Sequence, residues 1–372
     1  YLASLHLRDF RNYAEQRLDL PPQGVALVGD NGQGKTNLLE AIYYLEIFRS
    51  IRGAPDEQLV RFGEDTFRIE GRMRSEDGQE RSLAAAFDRR RRRKKVTVNG
   101  AEPPRLGDAI GGVGAVIFSP SDVALVAGSP GERRRFLDIL LSLSEPGYLA
   151  ALQRFRQTLF QRNALLRQGA DTAEVAAWNS GLVEWGSRIV AARLRWVGER
   201  AAGFAAHCAH VAGGAPASLE YLCSVRDLPG SEPDAIASAF AAALERGAER
   251  ETRRGMTLAG PHRDDLRFVL DPGGAAVDLR VYGSGGQQRT AAIALRMTEA
   301  DTVRERRGRD GLLLLDDVFA ELDAGRARRI IEWIEREERG QVILTAPKAG
   351  DVELRGGLLE RWTVREGRIE PL

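Results

Sequence analysis

A glycine-rich segment near the start of the chain constrains the fold more than any other feature. Its residues, Gly29-Asp30-Asn31-Gly32-Gln33-Gly34-Lys35-Thr36, fit the pattern G-x-x-x-x-G-K-[ST]. An apolar, strand-like run at 24–28 precedes the segment, and apolar residues at helical spacing follow it from 35 to 48. In this context the glycines allow backbone N–H groups to surround a phosphate at a helix N-terminus. The segment therefore predicts an α/β fold built around a phosphate-binding loop.

The residue types in this loop predict a nucleotide site with defined roles. We expect all eight residues to bind ATP, with Lys35 reaching the β- and γ-phosphates as a catalytic residue and the Thr36 hydroxyl holding Mg²⁺. Only four of the 54 basic residues are lysines, which makes a lysine in this position informative. The alternative is a glycine-rich turn without a ligand.

A second motif, which is acidic, points to the same chemistry. Leu312–Leu315 is an uninterrupted apolar run, typical of a buried parallel strand, and it leads directly into Asp316 and Asp317. Acids at the carboxyl end of such a strand project into the crevice where ligands bind. We expect Asp316 to hold Mg²⁺ and Asp317 to orient or deprotonate an attacking water. An ordinary strand end is the alternative.

A second glycine-rich helix start follows far along the chain, at Ser284-Gly285-Gly286-Gln287. It offers a serine hydroxyl and N–H groups to phosphate, although the chain already has its own phosphate loop. The motif resembles the signature loop of the ABC ATPase superfamily, in which it comes from the partner subunit. The resemblance implies nucleotide contacts by Ser284, Gly286 and Gln287, and a homodimer that forms on ATP.

The order of the patterns predicts an α/β core that is split by a helical insertion. Strand-like and helical patterns alternate at both ends, whereas 132–211 reads as helical without a sustained heptad repeat. The predicted division is 1–118 for the first part of ATPase lobe I, 119–305 for a helical lobe II that carries the signature helix, and 306–372 for the rest of lobe I. Leu279–Tyr282 is predicted to be a strand.

Several stretches resemble the RecF family, bacterial repair ATPases related to SMC proteins. They are Leu5–Tyr13, Leu125–Pro130 with Arg133–Asp138, Gly260–Asp265 and Leu315–Asp323. The resemblance spans nearly the whole chain and implies an ABC-type ATPase head with a mixed sheet around the phosphate-loop helix, and a helical lobe II without a long coiled coil. Glu321-Leu322-Asp323 falls at the family's D-loop, and Thr345 stands where the wider superfamily has its switch histidine.

The resemblance also implies a function and a set of partners. The implied function is that of a weak, DNA-stimulated ATPase that dimerises on ATP and binds double-stranded DNA and single-strand/double-strand junctions. The implied partners are RecR and RecO, with which it would load RecA in recombinational repair and the SOS response. The chain is expected to be cytoplasmic and not membrane-bound, since no leader-like segment opens it and two cysteines make no disulfide framework.

Clusters of basic residues are the candidates for DNA contact. Because the net charge is only +1, a DNA surface must be a local patch. Arg89 to Lys95 are seven consecutive basic residues in a predicted hairpin, and we assign DNA contact to Arg91, Arg92, Arg93, Lys94 and Lys95. Arg133 and Arg134 begin a helix, where cations are unfavourable and need a partner, either an anion or an acidic residue. A solvated loop is the alternative for the first cluster.

Three other functions compete with the DNA-repair ATPase. A transport ATPase subunit would have a shorter interval between the phosphate loop and the signature loop. A monomeric P-loop kinase would not need the Ser284 loop. A DNA-binding module without turnover would bind ATP and release no phosphate.

Overall fold

The computed structural model describes residues 1–75, 77–214, 217–228, 230–270, 276–336, 340–347 and 359–372. The chain forms two compact units. Tyr1–Asp122 and Glu299–Leu372 make up the first unit, and Val123–Thr298 is the second. These borders lie a few residues from the predicted lobe boundaries, which stay a prediction.

The strands in chain order are β1 Leu2–Phe10, β2 Tyr13–Asp19, β3 Gly24–Val28, β4 Thr66–Arg74, β5 Glu80–Asp88, β6 Arg93–Val98, β7 Ala115–Phe118, β8 Ala217–Leu222, β9 Asp265–Leu270, β10 Val277–Asp278, β11 Leu312–Leu315, β12 Val342–Ala346, β13 Glu360–Arg365 and β14 Arg368–Pro371. The helices are α1 Lys35–Ile47, α2 Val123–Ala127, α3 Pro130–Ser144, α4 Tyr148–Gln168, α5 Thr172–Ala176, α6 Asn179–Ala212, α7 Pro233–Arg254, α8 Leu279–Tyr282, α9 Gly285–Arg307 and α10 Ala324–Arg336.

A six-stranded sheet in the first unit positions the predicted nucleotide residues. Its order is β14-β13-β3-β12-β11-β7, and every pair is parallel except the antiparallel β13–β14 pair. Strands β3, β7, β11 and β12 are buried along their whole length, as expected for a parallel sheet covered on both faces. The carboxyl ends of β3 and β11 therefore lie at the same edge of the sheet, which brings the 29–36 loop and Asp316 to one place.

The second sheet of this unit is antiparallel, with the order β2-β1-β4-β5-β6. Helix α1 contacts strands of both sheets, and its Leu38, Leu39 and Ile42 are completely buried in a core that both sheets share. The helix that begins at the phosphate loop is thus fixed by apolar packing along its length.

The second unit is mainly helical, with α6 packed on α4, α7 and β8, beside the three-stranded sheet β10-β9-β8. Its longest helix, α6, has 34 residues, and the described part of the chain has no long coiled coil, as predicted. No helix among the described residues combines the length and apolarity needed to cross a membrane.

The predicted strand Leu279–Tyr282 is wrong, because this segment is the one-turn helix α8. The Asp278 side chain accepts a hydrogen bond from Arg280 N at 2.8 Å and so caps the helix, and Gly283 N donates to Leu279 O at 3.0 Å to close it. The cap outweighs the two-residue alternation of the sequence.

Candidate nucleotide site

The 29–36 loop has the backbone that a phosphate-binding turn requires. Gly32 and Gly34 have φ of 81° and 118°, a region that favours glycine, and α1 begins directly at Lys35. Lys35 is only 4% exposed, and its Nζ donates to the carbonyl oxygens of Gly29 and Asp30. The loop and the helix N-terminus thus place one cation and several N–H groups around a single concavity.

The two predicted Mg²⁺ ligands meet, although 280 positions separate them in the sequence. The Thr36 hydroxyl donates to Asp316 Oδ1 at 2.8 Å. Thr36 lies in the first turn of α1, whereas Asp316 follows β11, so the geometry of the parallel sheet brings the two oxygens together.

Asp317 and Thr345 complete the acidic end of this site. Asp317 has a left-handed φ of 47°, a backbone state that costs a non-glycine residue about 1 kcal/mol or more and that is frequent at functional sites. Its N–H donates to Thr345 Oγ1 at 2.8 Å, and the Thr345 hydroxyl lies 3.1 Å from Asp317 Oδ1 and 3.2 Å from Asp316 Oδ1. The threonine at the switch position therefore links both carboxylates.

The electrostatics of Asp316 suit a cation. Burial raises the pKa of its carboxyl above the usual value, and the negative charge of Asp317 adds to this, while the bond from Thr36 opposes it. No group of three or more His, Cys, Asp or Glu side chains with metal-ligand geometry occurs among the described residues. A hydroxyl and one carboxylate fit Mg²⁺ that is shared with phosphates, because this ion keeps few protein ligands in such sites.

The concavity has a volume of about 330 Å³. It is lined by Asp30, Asn31, Gly32, Gly34, Lys35, Thr36, Asn37, Arg52 and Asp317. Arg52 is a lining residue that the sequence analysis missed, and its positive charge lowers the pKa of Asp316. Arg52 follows α1, and its N–H donates to Oγ of the buried Ser50 at 3.1 Å. No sequence motif marks this position.

The Ser284 loop lies in the second unit, at the start of α9. Ser284 N donates to Gln287 Oε1 at 2.8 Å, and Gln287 N donates to Ser284 Oγ at 3.3 Å, which is a reciprocal capping arrangement. The predicted phosphate ligands Ser284, Gly286 and Gln287 are thus grouped at an exposed helix N-terminus. In the predicted D-loop, Asp323 accepts from Arg326 N at 2.9 Å, and the Glu321 side chain lies outside the described residues.

The basic run lies in the hairpin of β5 and β6, with Arg89 to Arg92 in the turn and Arg93 to Lys95 at the start of β6, and acidic neighbours accompany it. Arg92 pairs with Glu57 at 3.0 Å and Lys95 with Glu102 at 3.2 Å, while Arg91 lies 3.8 Å from Asp88. These pairs are exposed, so they are weak and can be exchanged for phosphate. DNA contact by Arg91, Arg92, Arg93 and Lys95 stays a prediction.

Lys94 departs from this pattern, and its assignment to DNA is corrected. Its Nζ lies 2.7 Å from Asp56 Oδ2, donates to Phe48 O at 2.6 Å and lies over the Tyr44 ring. The strand alternation turns this side chain toward the protein, where the ammonium is already bonded.

The assignment of Arg133 to DNA contact is corrected in the same way. It is 2% exposed and makes two hydrogen bonds to the Asp265 carboxylate, at 2.7 and 2.9 Å, and one to Gly128 O at 2.9 Å. Its required partner is therefore an acidic residue and not a nucleic-acid phosphate. Arg134 donates to Asp264 O at 2.8 Å, and burial lowers the pKa of its guanidinium. DNA contact by Arg134 stays a prediction.

Comparison with known proteins identifies the family. A family model described as the RecF/RecN/SMC N terminal domain matches residues 1–364. DNA replication and repair protein RecF of Synechococcus sp. (strain JA-3-3Ab) is 38% identical over 382 residues, which cover 100% of this chain and 98% of that protein. RecF of Roseiflexus castenholzii is 36% identical over 400 residues, with all of both chains covered.

Solved structures give the same result. The recombination mediator protein RecF-ATP of the RecFOR pathway superposes with a TM-score of 0.90 at 30% identity and covers 100% of this chain and 97% of that chain. RecF-ATPrS gives 0.89 at 30% identity, with 98% of that chain covered. The Smc head domain of Pyrococcus furiosus, at 0.57 and 17% identity, has a similar fold.

The fold and the site together define an ATPase head of the ABC type. Within that class, the chain belongs to the RecF family. The predicted resemblance and the DNA-repair interpretation are confirmed, and the alternative of a transport ATPase subunit is not supported.

Proposed function

We propose that this protein is an ATP-dependent DNA-repair switch that binds ATP with Mg²⁺ between the 29–36 loop and Asp316-Asp317, and hydrolyses it slowly. The meeting of the Thr36 hydroxyl with Asp316 at 2.8 Å is the main support, because a phosphate loop and an acidic strand end must converge on one point to hold a metal nucleotide. The name of the curated relatives and the ATP in the similar RecF structures support it independently.

The protein side chains have separate roles in this proposal. Lys35 leaves the loop carbonyls to contact the β- and γ-phosphates, and Arg52, which also lines the concavity, supplies a second positive charge. Asp317 orients or deprotonates the attacking water, and Thr345 holds that carboxylate in position. Bound Mg²⁺ offsets the charge of the phosphates; Thr36 and Asp316 are the residues that would hold it.

The proposal includes a homodimer in which Ser284, Gly286 and Gln287 of one copy contact the nucleotide of the other. The Ser284 hydroxyl already accepts a hydrogen bond from an N–H of its own helix, so its oxygen is oriented at an exposed helix N-terminus that suits an anion. Closure on ATP would hold DNA, and hydrolysis would release it. RecR and RecO are the proposed partners, and the RecFOR pathway named for the similar RecF structures supports them. RecA as a further partner and a cytoplasmic location rest on the family resemblance alone.

Light scattering with ATP, ADP or no nucleotide tests the proposal. With Mg²⁺ and ATP the wild-type mass should double, and duplex DNA should bind more tightly than with ADP. Ser284→Ala should bind ATP as a monomer but fail to double, whereas the exposed control Ser238→Ala should behave as wild type. An unchanged mass of the wild type under all three conditions would reject the switch. Doubling of Ser284→Ala would reject the shared site.

A further inference from the structure

The turn between β1 and β2, Arg11-Asn12, and the first residue of β2, Tyr13, hold the phosphate loop from outside the nucleotide concavity. Asn12 Nδ2 donates to Gln33 O at 2.9 Å, and Tyr13 Oη donates to Gly34 O at 3.0 Å. Asn37 Nδ2, on the first turn of α1, donates to Asn12 Oδ1 at 2.9 Å. One asparagine side chain thus joins the loop to the helix that follows it.

A second turn holds the same loop residue, Gln33. Between β13 and β14, Glu366 N donates to Gln33 Oε1 at 2.7 Å and Gly367 N donates to Gln33 O at 3.1 Å. Both the side chain and the carbonyl of Gln33 are therefore committed to neighbouring turns.

The two turns and the loop are packed so closely that no side chain fits at Gly34 or Gly367. A Cβ on Gly34 would lie 2.5 Å from Asn12 Nδ2, and a Cβ on Gly367, whose φ is +75°, would lie 2.5 Å from Asn12 O. Arg11 has a left-handed φ of 53° and donates from Nε to Glu40 Oε2 at 2.9 Å on α1. A strained turn that is held at both flanks keeps Asn12 in a single orientation.

We infer that Asn12 is a positioning residue for nucleotide binding: it fixes the curvature of the phosphate loop so that the N–H groups of residues 32–35 converge on the phosphates. The inference rests on the proposed nucleotide site. The bonds from Asn12 and from Gly367 to Gln33 are called the brace. Preorganised N–H donors bind an anion without the cost of ordering the loop, so loss of the brace weakens nucleotide binding more than it slows hydrolysis. Gly367 and the Gln33 side chain form the second half of the brace.

The chain contains a matched control for this inference. Gln16 joins the same two hairpins through Ile369, with Ile369 N donating to Gln16 Oε1 at 3.1 Å and Gln16 Nε2 donating to Ile369 O at 3.3 Å. These bonds resemble those of Asn12 in type and lie on the same pair of hairpins, but they do not involve the phosphate loop. Gln16→Ala therefore reports the structural cost alone.

Equilibrium binding of Mg²⁺-ATP, the hydrolysis rate at saturating ATP and the unfolding midpoint should be measured for wild type, Asn12→Ala, Gln16→Ala, Gly367→Ala and Lys35→Ala. Asn12→Ala should raise Kd about tenfold with less than a threefold change in the saturated rate, and it should unfold no earlier than Gln16→Ala, which keeps wild-type Kd. Gly367→Ala should also raise Kd, and it carries the test if Asn12→Ala does not fold.

Each other result has a defined meaning. A wild-type Kd for both Asn12→Ala and Gly367→Ala, or an equal rise in Gln16→Ala, would overturn the inference. A wild-type Kd for Lys35→Ala would instead overturn the nucleotide site itself.

Discussion

Thr345 and Asp317 are joined by two contacts: the Asp317 N–H donates to the Thr345 hydroxyl oxygen at 2.8 Å, and that hydroxyl lies 3.1 Å from Asp317 Oδ1. The hydroxyl has one proton, which it can donate to Asp317 or to Asp316 but not to both at once. Thr345 therefore stabilises the left-handed backbone of Asp317, and its hydroxyl donates a hydrogen bond to one of the two carboxylates at a time.

Replacement of Thr345 should separate hydrolysis from binding. Thr345→Val has nearly the same shape but no hydroxyl, so Asp317 loses its orientation while the phosphate loop is untouched. We expect the rate of phosphate release at saturating ATP to fall by about tenfold or more, with Kd for ATP changed less than threefold. Thr345→Ser keeps the hydroxyl and should retain most of the rate. A Val variant as fast as the Ser variant would contradict this role.

His262 should make stability depend on pH. Burial lowers its pKa from 6.5 to about 4, and the ring lies beside Phe155 with Nε2 3.2 Å from Thr257 O. Between these two values the unfolded chain binds a proton that the folded chain does not, so the free energy of unfolding falls as pH decreases, by up to about 3 kcal/mol. His262→Gln should remove most of this decrease.

Urea unfolding at pH 7.5 and pH 5 measures this effect. The control is Ser238→Ala, an exposed substitution on α7 that involves no titratable side chain, which should keep the pH dependence of the wild type. An equal pH dependence in His262→Gln and wild type would show that other groups cause it.

Arg133 should affect stability and not DNA affinity. Its guanidinium is buried against Asp265, and removal of one partner from such a pair leaves an uncompensated charge, so Arg133→Ala should cost about 3–5 kcal/mol of unfolding free energy. The exposed Arg154→Ala on α4 should change it by less than about 0.5 kcal/mol. Chemical unfolding gives both values. A stable Arg133→Ala variant with weakened DNA binding would restore the original assignment.

The β5–β6 turn should supply part of the DNA surface. Joint replacement of Arg91, Arg92 and Arg93 by Ala should weaken duplex binding and reduce the slope of log K against log salt by about 0.9 for each lost phosphate contact. The matched control removes the same charge from α7 by Arg250→Ala, Arg253→Ala and Arg254→Ala, all exposed. Titrations at two salt concentrations compare them. Equal affinities of the wild type and the turn variant at both would exclude the turn.

The centre of the candidate site can be proposed from the sequence because local patterns determine it. The loop glycines need positive φ, the lysine stands at a helix start, and the acids follow an apolar strand, so each feature can be identified without knowledge of distant neighbours. The meeting of Thr36 and Asp316 then follows from the general geometry of parallel sheets.

Features that depend on distant partners could not be predicted. Arg133 and Asp265 are 132 positions apart, and no local pattern shows that one neutralises the other. The brace formed by Asn12 and Gly367 depends on two turns from opposite ends of the chain. For α8, the alternating pattern of Leu279–Tyr282 predicts a strand, but the capping bond to the Asp278 side chain favours a helical turn.

The order of the central sheet has a consequence for synthesis. Strand β3, which carries the phosphate loop, pairs on one side with β12 and on the other with β13. Both neighbours come from the last part of the chain, after the whole helical unit. During translation β3 therefore remains without its flanking strands until those residues leave the ribosome, so the sheet around the phosphate loop is completed late in synthesis.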